Sequence, residues 1–232
     1  MTESLRRHRR PAQTALTAAL LAGLLLPALP GCGRYGGLAY FMGIGRGHKI
    51  EPQFELPEDG TLLVLVDDPA ERLRWPRLRD LLEQSLGEEL LAHQAVKAVI
   101  SPDAMARFRQ ADPKFERYPA ATIGRKVGAD TVLWLEVRDF FNPTEIEDTS
   151  STAKITLAVK VITTKPGTLP SDVRLWPTDE GGYIHSTELS AIDVHKLKGD
   201  NATARELARR AAIQIGRLFY QHTVGEVEDS KV

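Results

Sequence analysis

Ala121-Thr122-Ile123-Gly124-Arg125-Lys126-Val127-Gly128-Ala129-Asp130-Thr131-Val132-Leu133 changes its structural logic half-way along. Ala120 to Val127 reads as a short helix. Gly128 is its stop, because glycine enters the left-handed conformation that ends a helix without steric cost. Asp130 can satisfy backbone donors at the entry to the next element. Thr131 to Arg138 is then an apolar strand. A helix that turns directly into an apolar strand points to an α/β fold.

Working outward, Leu62-Leu63-Val64-Leu65-Val66 is a continuous apolar run between Gly60 and Asp67-Asp68-Pro69. Such a run reads as a strand buried on both faces. Pro76 to Ala92 carries Leu78, Leu81, Leu82, Leu86, Leu90 and Leu91 at helical spacing. Ala95 to Ile100 reads as a second strand. Ser101 caps a helix with Pro102 in its first turn. Downstream, Lys154 to Thr163 alternates: Ile155, Leu157, Val159 and Val161 against Lys154, Thr156, Ala158 and Lys160. That pattern predicts one wet face and antiparallel pairing with the strand before it. Val173 to Trp176 and Tyr183 to Ser190 are shorter strands, and a helix from about Ala202 to Gln221 closes the domain. The expected fold is a single α/β domain of order β-α-β-α-α-β-β-β-α, a mixed sheet of about five strands with helices packed on it.

The amino-terminal segment is of another kind. Arg6, Arg7, Arg9 and Arg10 precede an apolar run from Ala15 to Leu29. That run is shorter than the roughly 20 residues a membrane-spanning helix needs, and it fits a signal peptide. Leu29-Pro30-Gly31-Cys32 follows and holds the only cysteine of the 232 residues. It resembles the bacterial lipobox, in which an aliphatic residue and two small residues precede the cysteine that is diacylated. Pro30 stands where that family has a small residue. The resemblance implies cleavage between Gly31 and Cys32, lipid on Cys32 and a membrane anchor. Each buried CH₂ adds about 0.8 kcal/mol, and two or more chains hold a protein stably. Gly33, not aspartate, follows the cysteine, and sorting by resemblance then leans to the outer membrane, facing the periplasm. Residues 1–31 are expected to be the signal peptide and 32–59 the lipidated cysteine with a Gly-rich tether. Residues 60–222 are expected to be the folded domain and 223–232 a polar tail.

The quoted stretch also resembles a motif of one periplasmic group, in which a helix reading hydrophobic-Gly-basic-basic-hydrophobic-Gly-Ala-Asp leads into an apolar strand. The group includes the curli-secretion lipoproteins, the amino-terminal domain of TolB and the lipoprotein activators of penicillin-binding proteins. The order of elements from Thr61 to Gln221 is similar to theirs. The resemblance implies a non-enzymatic domain and supplies no catalytic residue. A curli-type pore is not expected, because the turns at Asn142–Ser151 and Lys165–Gly182 are too short and polar to supply membrane strands of about 9 to 11 residues. Arg174-Leu175-Trp176-Pro177 with Gly181-Gly182-Tyr183 is similar to small envelope lipoproteins.

Composition excludes some classes. The whole chain carries a net charge of −1, and without residues 1–31 it retains 26 basic and 30 acidic residues. Nothing there predicts a nucleic-acid partner. His8, His48, His93, His185, His195 and His222 are scattered outside any His-Glu-x-x-His or Cys/His pattern, so no metal is expected. His185 and His195 read as surface residues. There is no Gly-x-Ser-x-Gly elbow and no Walker loop. Gly43-Ile44-Gly45-Arg46-Gly47 lacks the flanking strand and helix of a phosphate loop and reads as spacer. No cofactor is expected.

Three functions remain. The first is a non-catalytic, membrane-anchored envelope lipoprotein that binds a periplasmic protein or itself, with Trp75 and Trp176 as candidate partner contacts and Trp134 in the core. The second is a small-ligand binder or enzyme using Asp67-Asp68, although Asp68-Pro69-Ala70-Glu71 also fits a capping pattern. The third is an accessory subunit of an outer-membrane export complex. A pocket at Asp67 would favour the second, and an exposed sheet edge the first.

Overall fold

The structure is a computed structural model that describes residues 49–75, 77–141, 152–167 and 173–223. The expectations for residues 1–31, Gly31, Cys32, the tether to residue 48 and most of the tail lie outside the described residues.

In chain order the elements are β1 (Lys49–Ile50), β2 (Thr61–Asp67), α1 (Leu78–Ala92), β3 (Ala98–Val99), α2 (Pro102–Ala111), a 3₁₀ turn (Phe115–Arg117) and α3 (Ala120–Val127). There follow β4 (Thr131–Phe141), β5 (Ala153–Thr163), β6 (Arg174–Trp176), β7 (Tyr183–Leu189), α4 (Ala191–Leu197), α5 (Asp200–Gly216) and β8 (His222–Thr223). The main sheet has six strands in the order β3-β2-β4-β5-β6, with β7 also paired to β5. β2 is parallel to β3 and β4, and β5 is antiparallel to β4, β6 and β7. The expected mixed α/β sheet is the observed one.

Helices cover both faces. Leu78, Leu82, Leu86 and Leu90 of α1 and Leu207, Ala211 and Ile215 of α5 pack on Val64, Leu133, Leu157 and Val159. Met105 of α2 and Ile123 of α3 pack on Leu63, Leu65 and Val132 from the other side. Burying each large aliphatic side chain contributes about 1.5–3 kcal/mol. β2 is buried on both faces because a layer lies on each.

The junction at Gly124–Thr131 is held by close approach. A Cβ on Gly124 would lie 2.6 Å from both Thr164 Cγ2 and Val132 Cγ2, so only glycine lets α3 sit this near the sheet. Gly128 ends the helix at φ 79°. The Asp130 carboxylate accepts from the Thr61 backbone N–H at 2.8 Å, which ties the entry of β4 to the entry of β2. The Thr164 hydroxyl donates to the Ala129 carbonyl at 2.6 Å.

The structure departs from the sequence expectation in five places. The compact unit begins at Lys49, not at residue 60. Leu56 is buried in the core, and the Gln53 N–H donates to the Leu218 carbonyl at 2.8 Å, so 49–59 belong to the domain. β1 pairs with β8 in a separate two-stranded ribbon. β3 spans two residues rather than six, because the turn that ends α1 still holds Ala95, whose N–H donates to the Leu90 carbonyl at 2.9 Å, and the Ser101 cap and Pro102 start α2 just after it. β5 is buried on both faces along its second half, not wet on one. Lys160 explains this: its ammonium lies 4.4 Å from the Trp134 ring centre and 3.1 Å from Glu136 Oε2. Finally, α4 occupies a stretch with no helix expected. It is capped by Ser190, spans only two turns and packs on the core through the partly buried Val194 and Leu197 alone, too short an apolar period to stand out in the sequence.

Candidate functional site

Asp67 and Asp68 lie at the carboxyl end of β2, and each is already engaged. The Asp68 carboxylate accepts from the backbone N–H of Arg72 at 2.9 Å and of Leu73 at 2.7 Å. Its 6% exposure leaves it as the cap of that turn. Asp67 accepts from Trp134 Nε1 at 3.3 Å. Burial raises the Asp67 pKa, the Trp134 bond opposes that, and nearby Glu116 and Glu136 raise it further. The hollow beside Asp67 holds only about 40 Å³, little more than one water's share of liquid volume. A drug-sized ligand needs about 300 Å³ or more. The hollow beside Asp67 is therefore far too small for a drug-sized ligand.

The tryptophans divide. Trp75 is 7% exposed and meets Phe140 edge-on at 5.1 Å, so it is core rather than a partner contact. Trp176 is half-buried among Phe54, Tyr183 and Phe219, with ring centres 5.4–6.2 Å apart, and serves as the bridge between the ribbon segment and the sheet. Trp134 is not fully buried: it carries Lys160 on its ring face and donates to Asp67.

The open feature is β7. Its seven residues pair with β5 from Tyr183↔Val159 to Ala153↔Leu189, and no strand pairs with its other side among the described residues. Its backbone groups on that side form a template for a further strand. Ile184, Ser186 and Glu188 face outward, with Ile184 56% exposed. The inward residues are locked. Thr187 donates to Gln214 Oε1 at 2.8 Å, and His185 Nε2 lies 3.1 Å from the same oxygen. Burial lowers the His185 pKa, offset in part by the Gln214 bond, so His185 is a structural residue rather than a free surface one. His195 is exposed on α4. Just past β7, Ile192 is 67% exposed. This apolar and polar edge was legible only as the last strand of the order, because sequence alone does not say which strand ends a sheet.

No protein-family model and no curated protein matches this chain. Solved structures do resemble it. A PelC dodecamer from Paraburkholderia phytofirmans shares 12% identity over 75% of this chain and 97% of that one, at a TM-score of 0.41. The lipoprotein GNA1162 from Neisseria meningitidis shares 13% over 68% of this chain and 98% of that one, at 0.42. The hypothetical protein CT253 from Chlamydia trachomatis shares 14% over 68% and 96%, at 0.39. At these scores the likeness carries no functional argument. The function rests on this chain's own residues.

A second cluster had no clear signal in the sequence. The Tyr220 hydroxyl donates to the Glu89 carboxylate, and the Tyr220 ring stacks on His93 at 4.0 Å. Burial and Glu89 together hold the Tyr220 hydroxyl above its usual pKa. Their partners come from α1 and from the segment after α5, 131 positions apart, which only folding brings together. Among the described residues, no group of His, Cys, Asp and Glu is placed to hold a metal, and no helix is long and apolar enough to cross a membrane.

Proposed function

We propose that the chain is a lipid-anchored envelope protein that works without catalysis, as an interaction or assembly module. Its partner is an extended polypeptide segment that adds to the free edge of β7. The observation that carries this reading is the seven-residue edge with exposed Ile184, set against the filled Asp67 end. Strand addition draws affinity from main-chain hydrogen bonds and specificity from alternate side chains. Ile184 supplies an apolar contact and Glu188 a charged one on the same face. The signal segment, Cys32 and Gly33 support attachment to the membrane with the domain in the periplasm, and the outer membrane is the favoured address.

The test is a crosslinking pulldown from bacterial envelopes with wild type, Cys32→Ser and Ile184→Lys. Loss of membrane fractionation in Cys32→Ser supports the anchor, and retention of full membrane binding by an uncleaved Cys32→Ser sinks it. Ile184→Lys is expected to remain folded and anchored but to lose the crosslinked partner. Undiminished capture by Ile184→Lys sinks the edge reading.

A further inference from the structure

Natural sheets guard an exposed edge with short strands, bulges, prolines or lysines. The other edge strands of this sheet are guarded in that way. β3 is two residues long. β6 is three, with Pro177 directly after it and a register shift against β5 between Val161 and Ile162. β7 carries none of these devices. Tyr183 to Leu189 holds no proline, glycine or lysine, and its seven pairs with β5 run without a register shift. The two most exposed large apolar residues among those described are Ile184 on β7, at 56%, and Ile192 just past it, at 67%.

The two ends of β7 carry opposite charge. Asp179 and Glu180 precede it, and both are exposed. Arg138 reaches the Gly181 carbonyl at that end but is paired with Glu136. Lys196 on α4 and Lys198 after it follow the strand, and both are exposed. Asp193 at that end is paired with Arg210, and Asp200 lies in the first turn of α5, where the positive end of the helix offsets it.

We propose, on the reading of β7 as a docking edge, that its partner strand is the β7 of a second copy of this chain, antiparallel about a two-fold axis at Ser186. In this register all seven residues of each strand pair: Ser186 with Ser186, Ile184 with Glu188, His185 with Thr187 and Tyr183 with Leu189. Glu188, the only carboxylate of the strand, meets isoleucine across the axis and already has Lys154 opposite it in β5. Ser186 and Thr156 share a side-chain hydrogen bond at 3.2 Å, so the row of hydroxyls continues across the axis into the second copy. The acidic end of each copy meets the basic end of the other, twice by symmetry, as an isologous interface requires. Ile192 of each copy lies at the same end of the pair as Ile184 of the other, so both apolar residues gain cover. A foreign strand would have to supply this charge order itself, whereas a second copy supplies it by the two-fold. Lipid anchors that hold copies on one membrane raise their effective concentration, which suits an edge of this length.

The experiment is analytical ultracentrifugation of the full chain in excess mild detergent over a wide concentration range, with circular dichroism as the check on folding. Wild type is expected to form a dimer that dissociates on dilution and weakens with added salt. Ser186→Lys and Ser186→Glu are each expected to be folded monomers, because like charges then oppose at the axis, and their equimolar mixture is expected to recover the dimer. Ile184→Lys weakens the dimer as well, since it replaces an apolar contact with a charge at the end that holds Lys196 and Lys198 of the other copy. Ser186→Cys is expected to be joined across the axis by a short bis-maleimide, above the background of wild type with its Cys32, whereas Thr156→Cys, one strand further from the axis, is not. A monomeric wild type, a dimer that both charged variants leave intact, a mixture that recovers nothing or a Ser186→Cys chain that does not crosslink overturns the second copy as partner. The edge reading fails separately. With a monomeric wild type, envelope capture that Ile184→Lys abolishes keeps the edge for a polypeptide of another sequence, and capture that it leaves undiminished ends both readings.

Discussion

β2 and β7 have the same length, seven residues each, and opposite fates. β2 reads Thr-Leu-Leu-Val-Leu-Val-Asp and is buried from Leu62 to Val66. It has β4 along one side. On the other, β3 covers only Thr61 and Leu62, and the Glu83 carboxylate takes the Val66 N–H that β3 is too short to meet. β7 reads Tyr-Ile-His-Ser-Thr-Glu-Leu and, among the described residues, has β5 on one side and no strand on the other. A buried backbone donor must find a partner inside the protein, and an exposed one can wait for water or for another chain. β2 is where the fold is closed, and β7 is where it can still accept a strand.

The sharpest way to break the closed side is Glu83→Ala. It removes the acceptor of the Val66 N–H and leaves Arg109 half-buried without its main partner. Breaking a buried ion pair typically costs about 3–5 kcal/mol, so chemical denaturation should show a loss of that order, and a loss under about 1 kcal/mol would show that the pair matters little. Leu63→Ala is next. Leu63 is 0% exposed, and such truncations cost about 2–5 kcal/mol, readable as a shifted denaturation midpoint. Gly124→Val follows: overpacking against Thr164 and Val132 is expected to cost about 1–3 kcal/mol. On the open side, Ile184→Lys should change stability by less than about 0.5 kcal/mol, because the side chain is mostly in water.

The smallest expected effect separates the two faces of β7 itself. Burial depresses the His185 pKa below its ordinary value of 6.5. The unfolded chain therefore binds the proton more readily than the folded one. The stability this neutral imidazole contributes is present above pH 6.5 and declines as the pH falls below that value towards the depressed folded pKa. Thermal melts of wild type and His185→Gln across pH 7.5 to 5 should converge as the pH falls. Parallel curves would show that His185 does not titrate in the folded state below its ordinary pKa.

Much of this architecture was legible in residues. Leu62 to Val66 announced a strand with both faces covered, since no polar residue interrupts the run. Gly128 and Asp130 announced a helix stop and a strand entry. Gly124, the residue whose absence of a side chain permits the close approach of α3, was visible in the motif, but its reason was not: Thr164 lies 40 positions away. The Asp68 cap was legible because its partners are local, at Arg72 and Leu73. Trp75 was misplaced for the opposite reason. A tryptophan beside a proline looks like an exposed loop residue, and only Phe140, far along the chain, reveals that it is core. α4 was invisible because its apolar contact with the core is two residues, Val194 and Leu197, in a helix of only seven.

The amino-terminal pattern, the α/β class, the covered strand and the local caps are written in the residues alone. These depend on interactions between residues a few positions apart, or on whether a run is uniformly apolar. Only the packed fold shows that 49–59 join the domain, that Lys160 is enclosed by Trp134 and Glu136, that the hollow beside Asp67 is only about 40 Å³, and that, among the described residues, one side of β7 is unpaired. Each of those is a question of which distant segment arrives as neighbour, and a neighbour far away in the chain leaves no periodic mark on the residues it covers.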